Sequence, residues 1–209
     1  MSITKYQFAV YKNAIPKRIC DQIIKTGISE KGKIGTTFST NEIPKNEKES
    51  YQNLKKLFEK RDSNICWLNY PWIYKVIVPW VNKAMKEFNW NYETSFFETS
   101  QFTIYYPGGF YDWHQDSFTQ PEVLKKNNGL NRKISLSILL NDPSEYEGGD
   151  FEFDMRNHED PKFNKIEKVP FKEQGTLIIF PSFSFHRVLP VTKGVRYSLV
   201  NWVKGPDWR

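Results

Sequence analysis

Two residues near the middle of the chain, His114 and Asp116, have the types and spacing to share one ion. They close the stretch Phe110-Tyr111-Asp112-Trp113-His114-Gln115-Asp116, which follows Pro107-Gly108-Gly109. Aromatic residues after a turn signal of that kind read as a strand. A strand sends residues i and i+2 to the same face, about 6–7 Å apart at Cα. An imidazole and a carboxylate placed that way converge. The chain has 3 histidines, so a further nitrogen ligand has to be His158 or His186. His186 lies in the apolar run Phe180–Pro190, with strand character on both sides. His158 stands among Arg156, Asn157, Glu159, Asp160 and Pro161 and reads as a surface residue.

Two histidines and one carboxylate on one face, with the remaining positions open, form the donor set of non-haem Fe(II) oxygenases. The bland alternative is that His-x-Asp arises by chance and that a histidine in an apolar strand is a hydrogen-bonded core residue. A short motif is decided by its context. Here the context is Arg196, in Pro190-Val-Thr-Lys-Gly-Val-Arg-Tyr-Ser198. A buried arginine needs an anionic partner, and a planar guanidinium pairs with a carboxylate through two parallel hydrogen bonds. Ser198, two residues on, shares the strand face and adds a hydroxyl. The pair reads as a seat for a dicarboxylate.

Four ordered motifs, together spanning about half the chain, carry a family resemblance. They are Tyr105-x-x-Gly108-Gly109-x-Tyr111-x-x-His114-x-Asp116; Leu140-Asn141-Asp142-Pro143 with Glu147-Gly148-Gly149; Phe180-Pro181 leading to His186-x-Val188-x-Pro190-Val191-Thr192-x-Gly194; and Arg196-x-Ser198. The chain resembles the 2-oxoglutarate- and Fe(II)-dependent dioxygenases, in the prolyl 4-hydroxylase-like branch that includes the PKHD-type hydroxylases.

The resemblance implies His114, Asp116 and His186 as iron ligands, and Arg196, Ser198 and Tyr105 as contacts to 2-oxoglutarate. It implies O2 as oxidant, ascorbate as reductant, and hydroxylation coupled to decarboxylation of 2-oxoglutarate to succinate and CO2. Asp116 is present as a carboxylate; a halogenating relative would have that position vacated. Some relatives place a tyrosine where this chain has Leu139, so that co-substrate contact is expected to be missing. Arg132 and Trp202 match substrate-contacting positions of the hypoxia-sensing prolyl hydroxylases, although a surface arginine and a core tryptophan are the plain alternatives. With Tyr111 and Trp113 they are expected to line the mouth. The expected partner is a proline-containing protein or peptide, as for a procollagen-proline 4-dioxygenase-like enzyme. Another side chain, a free small molecule or a nucleobase is the alternative target. Nucleic-acid demethylases of this scaffold carry a second arginine six residues after the anchor, where this chain has Trp202. A zinc hydrolase would lack an evident general base and a use for Arg196, and a non-catalytic binding module would have no need of the intact donor set.

Composition sets looser bounds. At 209 residues one domain is the default, read as N-terminal support over 1–93 and a catalytic β-domain over 94–204. The net charge of +6 permits a nucleic-acid partner, but the lysines are scattered and read as a solvated surface. The 2 cysteines, Cys20 and Cys66, form no CxxC and read as free thiols in a reducing compartment. No signal-peptide core and no run of about 18 apolar residues is visible, so the expectation is a cytoplasmic protein off the membrane. Nothing in the sequence bears on oligomeric state.

The elements that would position the site are mainly β with flanking helices. Helices are expected at Pro16–Thr26 and Trp72–Asn89, the second from the spacing of Ile73, Val76, Ile77, Trp80, Val81, Ala84, Met85 and Phe88. Short strands are expected at Phe8–Tyr11 and Arg61–Leu68, and residues 27–64 read as a mobile segment or lid, with Tyr51–Lys60 helical. Eight strands follow: Phe96–Tyr106, Phe110–Gln115, Lys133–Leu140, Gly149–Phe153, Ile166–Val169, Gly175–Phe180, Ser184–Val188 and Arg196–Val203. Strands in that density with Pro, Gly, Asn and Asp turns suggest a jelly roll. The family resemblance implies the same, a double-stranded β-helix with the metal inside one mouth. The connections Ser117–Asn131 and Asp154–Lys165 are polar, and long loops of that kind shape substrate binding.

Overall fold

The computed structural model describes residues 7–30, 33–34, 60–155 and 165–208. His158 and most of the expected lid, including nearly all of Tyr51–Lys60, lie outside the described residues. Among the described residues the strands, in chain order, are β1 (Ala9–Tyr11), β2 (Lys33–Ile34), β3 (Arg61–Asp62), β4 (Asn64–Leu68), β5 (Phe96–Phe97), β6 (Ser100–Tyr105), β7 (Phe110–His114) and β8 (Leu130–Leu139). Then come β9 (Tyr146–Gly148), β10 (Phe151–Asp154), β11 (Ile166–Lys168), β12 (Leu177–Pro181), β13 (His186–Val188), β14 (Val191–Gly194) and β15 (Arg196–Pro206). Helices run over Lys17–Ser29, Pro71–Glu87 and Pro121–Lys126.

One large sheet has the order β1-β12-β8-β15-β6-β4-β2, with β5 added on β15. A smaller sheet, β11-β10-β13-β7-β3, faces it, and β14 pairs with β9 at one end. This is the double-stranded β-helix. The N-terminal segment does more than buttress it: β1 and β4 extend the large sheet and β3 closes the edge of the small one.

Alternation along the large sheet assigns each face its work, because successive side chains of a strand point to opposite sides. Ile134, Leu136 and Ile138 of β8, Leu177 and Ile179 of β12, Leu199 and Val203 of β15 and Phe102 of β6 face the helices. There they join Ile73, Ile77, Val81 and Ala84 of the long helix and Cys20 and Ile23 of the first. The opposite parity, with Leu139, Ile178, Phe180 and Tyr105, faces the interior between the sheets. The alternation of apolar residues and serines over Lys133–Leu140 suggests a half-exposed strand. Instead both faces are buried, and the serine face looks into the interior, where Ser137 lines a cavity.

Several boundaries differ from the sequence reading for local reasons. Residues Phe96–Tyr106 form two strands, β5 and β6. The connection Ser117–Asn131 holds a helical turn opened by Pro121, a residue suited to the first turn. The stretch Val191–Gly194, whose Val-Thr-Lys-Gly sequence carries no strong strand signal, pairs with β9.

The first helix lies so close to the sheet that a Cβ on Gly27 would stand 2.3 Å from the Phe102 ring. Only a residue without a side chain permits that approach. Gly27→Ala is therefore expected to destabilise the fold by about 1–3 kcal/mol through overpacking. Thermal or urea unfolding checks it; an unchanged midpoint would show that the helix can lift off the sheet freely.

Candidate active site

His114 ends β7 and His186 begins β13, and the two strands pair so that these residues are register partners. Their rings lie 4.1 Å apart between centroids. Asp116 lies just past β7, in the turn that follows it, where its backbone N–H donates to the Ser182 carbonyl at 2.9 Å. The turn aims the carboxylate between the imidazoles: Oδ1 is 3.8 Å from His114 Nε2 and Oδ2 is 3.6 Å from His186 Nε2. One ligand atom from each of the three residues falls within 4.8 Å of the others.

The ring orientations are set by the backbone. His114 Nδ1 lies 2.7 Å from the Asp112 carbonyl and His186 Nδ1 lies 2.9 Å from the Ser184 carbonyl. A carbonyl can only accept, so each Nδ1 carries the proton and each Nε2 presents a lone pair. Burial, then the neighbouring His186, holds the His114 pKa down to about 3, so its imidazole is neutral at ordinary pH. Burial acts to raise the Asp116 pKa, but His186, His114, Arg132 and the Trp202 indole together outweigh it and lower the value. Ser135 Oγ donates to Asp116 Oδ2 at 2.7 Å and lies 2.8 Å from Ser182 Oγ. Phe151 stacks on the His186 ring at 5.4 Å. Two imidazoles, one carboxylate and no thiolate suit Fe(II).

These groups open into a cavity of about 290 Å³ that also holds Tyr105, Ser198 and Arg196. Arg196 is 1% exposed, and its Nε, Nη1 and Nη2 are buried without a hydrogen-bond partner. Its guanidinium lies between the rings of Tyr105, 5.4 Å away, and Phe171, 5.7 Å away. Gly149, at φ +63°, passes beneath it; a Cβ there would be 2.7 Å from Arg196 Cδ. Asn141 pins the start of β15 through the Val195 carbonyl and the Tyr197 N–H. Leu139, as expected, offers no hydroxyl. Tyr146, which no motif flagged, takes a place beside Arg196: burial raises its pKa and the guanidinium pulls against that rise. The unpaired cation and the donor set in one chamber fit a dicarboxylate and a divalent metal together.

The residues expected at the mouth divide. Tyr111, Arg132 and Trp202 line the cavity. Arg132 is held by Glu98 through two bonds of 2.8 Å and lies over the Trp202 ring at 3.7 Å. Burial works to raise the Glu98 pKa, but Arg132 and Lys204 pull it lower. Trp113 is a correction: it does not line the cavity, and Arg187 covers its ring at 4.4 Å. Trp113 neighbours His114, and successive residues of a strand point to opposite faces. Tyr111 reaches the cavity through a register shift: His186 and Val188 of β13 face His114 and Tyr111 of β7, so β7 holds one residue extra. That bulge brings Tyr111 and His114 onto one face, with ring centroids 3.5 Å apart. Ser135, Ser182 and Arg61 are further residues at the site that the motifs did not indicate; a serine in an alternating strand and an arginine beside a polar stretch carry no distinguishing signal.

A model of the 2OG-Fe(II) oxygenase superfamily matches residues 100–204, and the chain belongs to that family. A PKHD-type hydroxylase of Picosynechococcus sp. is 37% identical over 106 residues, which are 51% of this chain and 42% of that protein. The matched part is thus less than half the length of that relative. Among solved structures, a Pseudomonas putida prolyl-4-hydroxylase superposes with a TM-score of 0.65 at 17% identity, covering 98% of this chain and 96% of the other. A Trichoplax adhaerens prolyl hydroxylase in complex with a hypoxia inducible factor peptide fragment superposes with a TM-score of 0.60 at 16% identity, covering 96% and 84%. No helix of the described residues is long and apolar enough to cross a membrane.

Ser135 touches the Asp116 carboxylate and no other member of the donor set. Removing such an outer partner weakens metal affinity about 10- to 100-fold. Ser135→Ala is expected to do so in a competitive Fe(II) or Mn(II) titration, while Asp116→Ala abolishes tight binding. Unaltered affinity in both variants would place the metal elsewhere.

Proposed function

We propose that this protein is a 2-oxoglutarate- and Fe(II)-dependent oxygenase that hydroxylates a prolyl residue of a protein or peptide, with ascorbate serving as reductant. The observation that carries the co-substrate is the buried, unpaired guanidinium of Arg196 in the same cavity as His114, Asp116 and His186. His114, Asp116 and His186 would hold Fe(II), which when bound would supply O2 activation coupled to conversion of 2-oxoglutarate to succinate and CO2. The protein's own contribution is placement. Arg196, with Ser198, Tyr105 and Tyr146 around it, holds the far carboxylate of 2-oxoglutarate and so fixes its reach toward the metal. Ser135 and the two backbone carbonyls hold the ligands in one geometry before anything binds. The aromatic walls keep bulk water from the reacting centre.

The prolyl target rests on the walls and on likeness. Tyr111, Trp67 and Trp202 line the chamber, and flat apolar faces suit a pyrrolidine ring. The fold is that of solved prolyl hydroxylases, one of which holds a peptide. An extended proline-containing segment has little conformational freedom to lose on binding. Trp67 and Phe96, each 46% exposed, stand at the edge of the chamber and offer such a segment an apolar ledge.

Arg196→Ala is expected to leave metal binding in place and to weaken 2-oxoglutarate by about 2–5 kcal/mol, or roughly 30- to several-thousand-fold. Calorimetric titration of 2-oxoglutarate into the metal-loaded variant measures it; an unchanged affinity would move the anchor to another residue. For the target, mass spectrometry of a proline-containing peptide library after incubation with Fe(II), 2-oxoglutarate and ascorbate should show gain of one oxygen on proline. Oxygen gained only on another side chain, a free amino acid or a nucleobase would refute the prolyl assignment and leave the chemistry standing.

A further inference from the structure

Arg61 is a second buried arginine in the chamber, and neither the metal nor 2-oxoglutarate accounts for it. It stands on β3 opposite Tyr111 of β7 and is 4% exposed. Its Nε donates to Ser63 Oγ at 2.7 Å, and its guanidinium carbon lies 4.6 Å above the Tyr111 ring. Its Nη2 is buried without a hydrogen-bond partner, and the side chain lines the cavity. Stacking on a tyrosine attracts the cation but gives Nη2 no acceptor. A charge buried in this way needs an anion.

The anions lining the chamber are engaged elsewhere. Glu98 is bonded by Arg132 at 2.8 Å and lies 3.1 Å from Lys204 Nζ. Asp116 is bonded by Ser135 and lies between the histidines. With a divalent metal and a dicarboxylate in place, their charges cancel. Glu98 then matches Arg132, and Asp116 matches Arg196. Among the described residues lining the cavity, Arg61 is the cation left without a counter-charge. The two guanidinium groups with nitrogens lacking a hydrogen-bond partner have different surroundings: Arg196 lies by Tyr105 and Phe171, whereas Arg61 lies on Tyr111, whose other neighbour is His114. An anion held by Arg61 is therefore one aromatic ring away from a member of the donor set.

We propose that Arg61 binds a carboxylate of the substrate, one that lies close in the chain to the residue being oxygenated. The source is either an acidic side chain flanking the target or a free C-terminal carboxylate. This inference rests on the oxygenase reading above and narrows its substrate.

The test uses acetylated, amide-capped pentapeptides with a central proline and randomised flanks, a matching set with a central alanine, and both sets with a free C-terminus. Each is selected on immobilised protein loaded with Zn(II), as a redox-inert metal, and 2-oxoglutarate. Oxygen gain is then followed with Fe(II). Native protein is expected to prefer Asp or Glu over Asn or Gln at one flank, or the free over the amidated terminus, by about 10- to 100-fold. Which of the two preferences emerges identifies the source of the carboxylate. In Arg61→Gln the ratio should fall to near one, and Arg61→Lys should keep part of it. The ratio is taken within each protein, so a lower folded fraction cancels. Native protein without an acid preference, no enrichment at all, or an Arg61→Gln protein that keeps the preference would overturn the proposal. If Arg61→Gln does not fold, the native ratio and Arg61→Lys decide. An acid preference shared by the proline and alanine sets would retain this inference and refute the prolyl reading; a proline preference blind to acid would do the reverse.

Discussion

Burial of positive charge is the constraint on which the rest of this structure depends. Arg196 heads the largest fully buried side chains, and its three guanidinium nitrogens have no hydrogen-bond partner. A guanidinium does not shed its proton to escape such a position, so the fold has to be stable enough to hold it in wait for an anion. The surroundings follow from that demand. Gly149 clears space under the side chain, Asn141 fixes the backbone where β15 begins, and Tyr105 and Phe171 wall the charge from water. The stabilisation comes from the other side of the same sheet.

That division is made by strand alternation. Each long strand of the large sheet gives one parity to the helices and the other to the chamber. In β15, Leu199 and Val203 pack on the helical layer, while Arg196, Ser198, Val200 and Trp202 face the cavity. In β4, Cys66 and Leu68 pack outward, while Ile65 and Trp67 face inward. A slip of one residue in either strand would exchange oil for chemistry. The helices thus contribute no residue to the metal cluster, whose histidines sit on β7 and β13 of the smaller sheet; they pack on the large sheet, whose β15 carries Arg196, Ser198 and Trp202. The bulge in β7 is the local exception, and it lets Tyr111 and His114 share a face three residues apart.

Much of this was legible in the sequence, and the rest was not for identifiable reasons. His114, Asp116, His186 and Arg196 stood out because charge and imidazole in apolar strands are uncommon. The long helix was legible from its apolar stripe. Ser135 was not, since a serine alternating with isoleucine and leucine looks like the wet side of a strand. Only the second sheet, closing over it, shows that this side is a chamber. Arg61 was hidden similarly, because an isolated arginine reads as surface until its neighbours are known. Trp113 falls on the outer face because it neighbours His114, whereas the inward place of Tyr111 was not legible, since a single extra residue in β7 reverses the face that alternation predicts for it. The pairing of β14 with β9 has no signature in the sequence because a tertiary contact, and no local propensity, makes Val191–Gly194 extended.

That one chamber serves metal, co-substrate and substrate together is tested by a crystal structure of the protein soaked with Mn(II) and 2-oxoglutarate, with anomalous scattering to place the metal. The expected structure has one metal on His114 Nε2, His186 Nε2 and an Asp116 oxygen, with the far carboxylate of 2-oxoglutarate paired to the Arg196 guanidinium and Arg61 facing the remaining space. A metal held by other residues, or 2-oxoglutarate bound with Arg196 still unpaired, would contradict it.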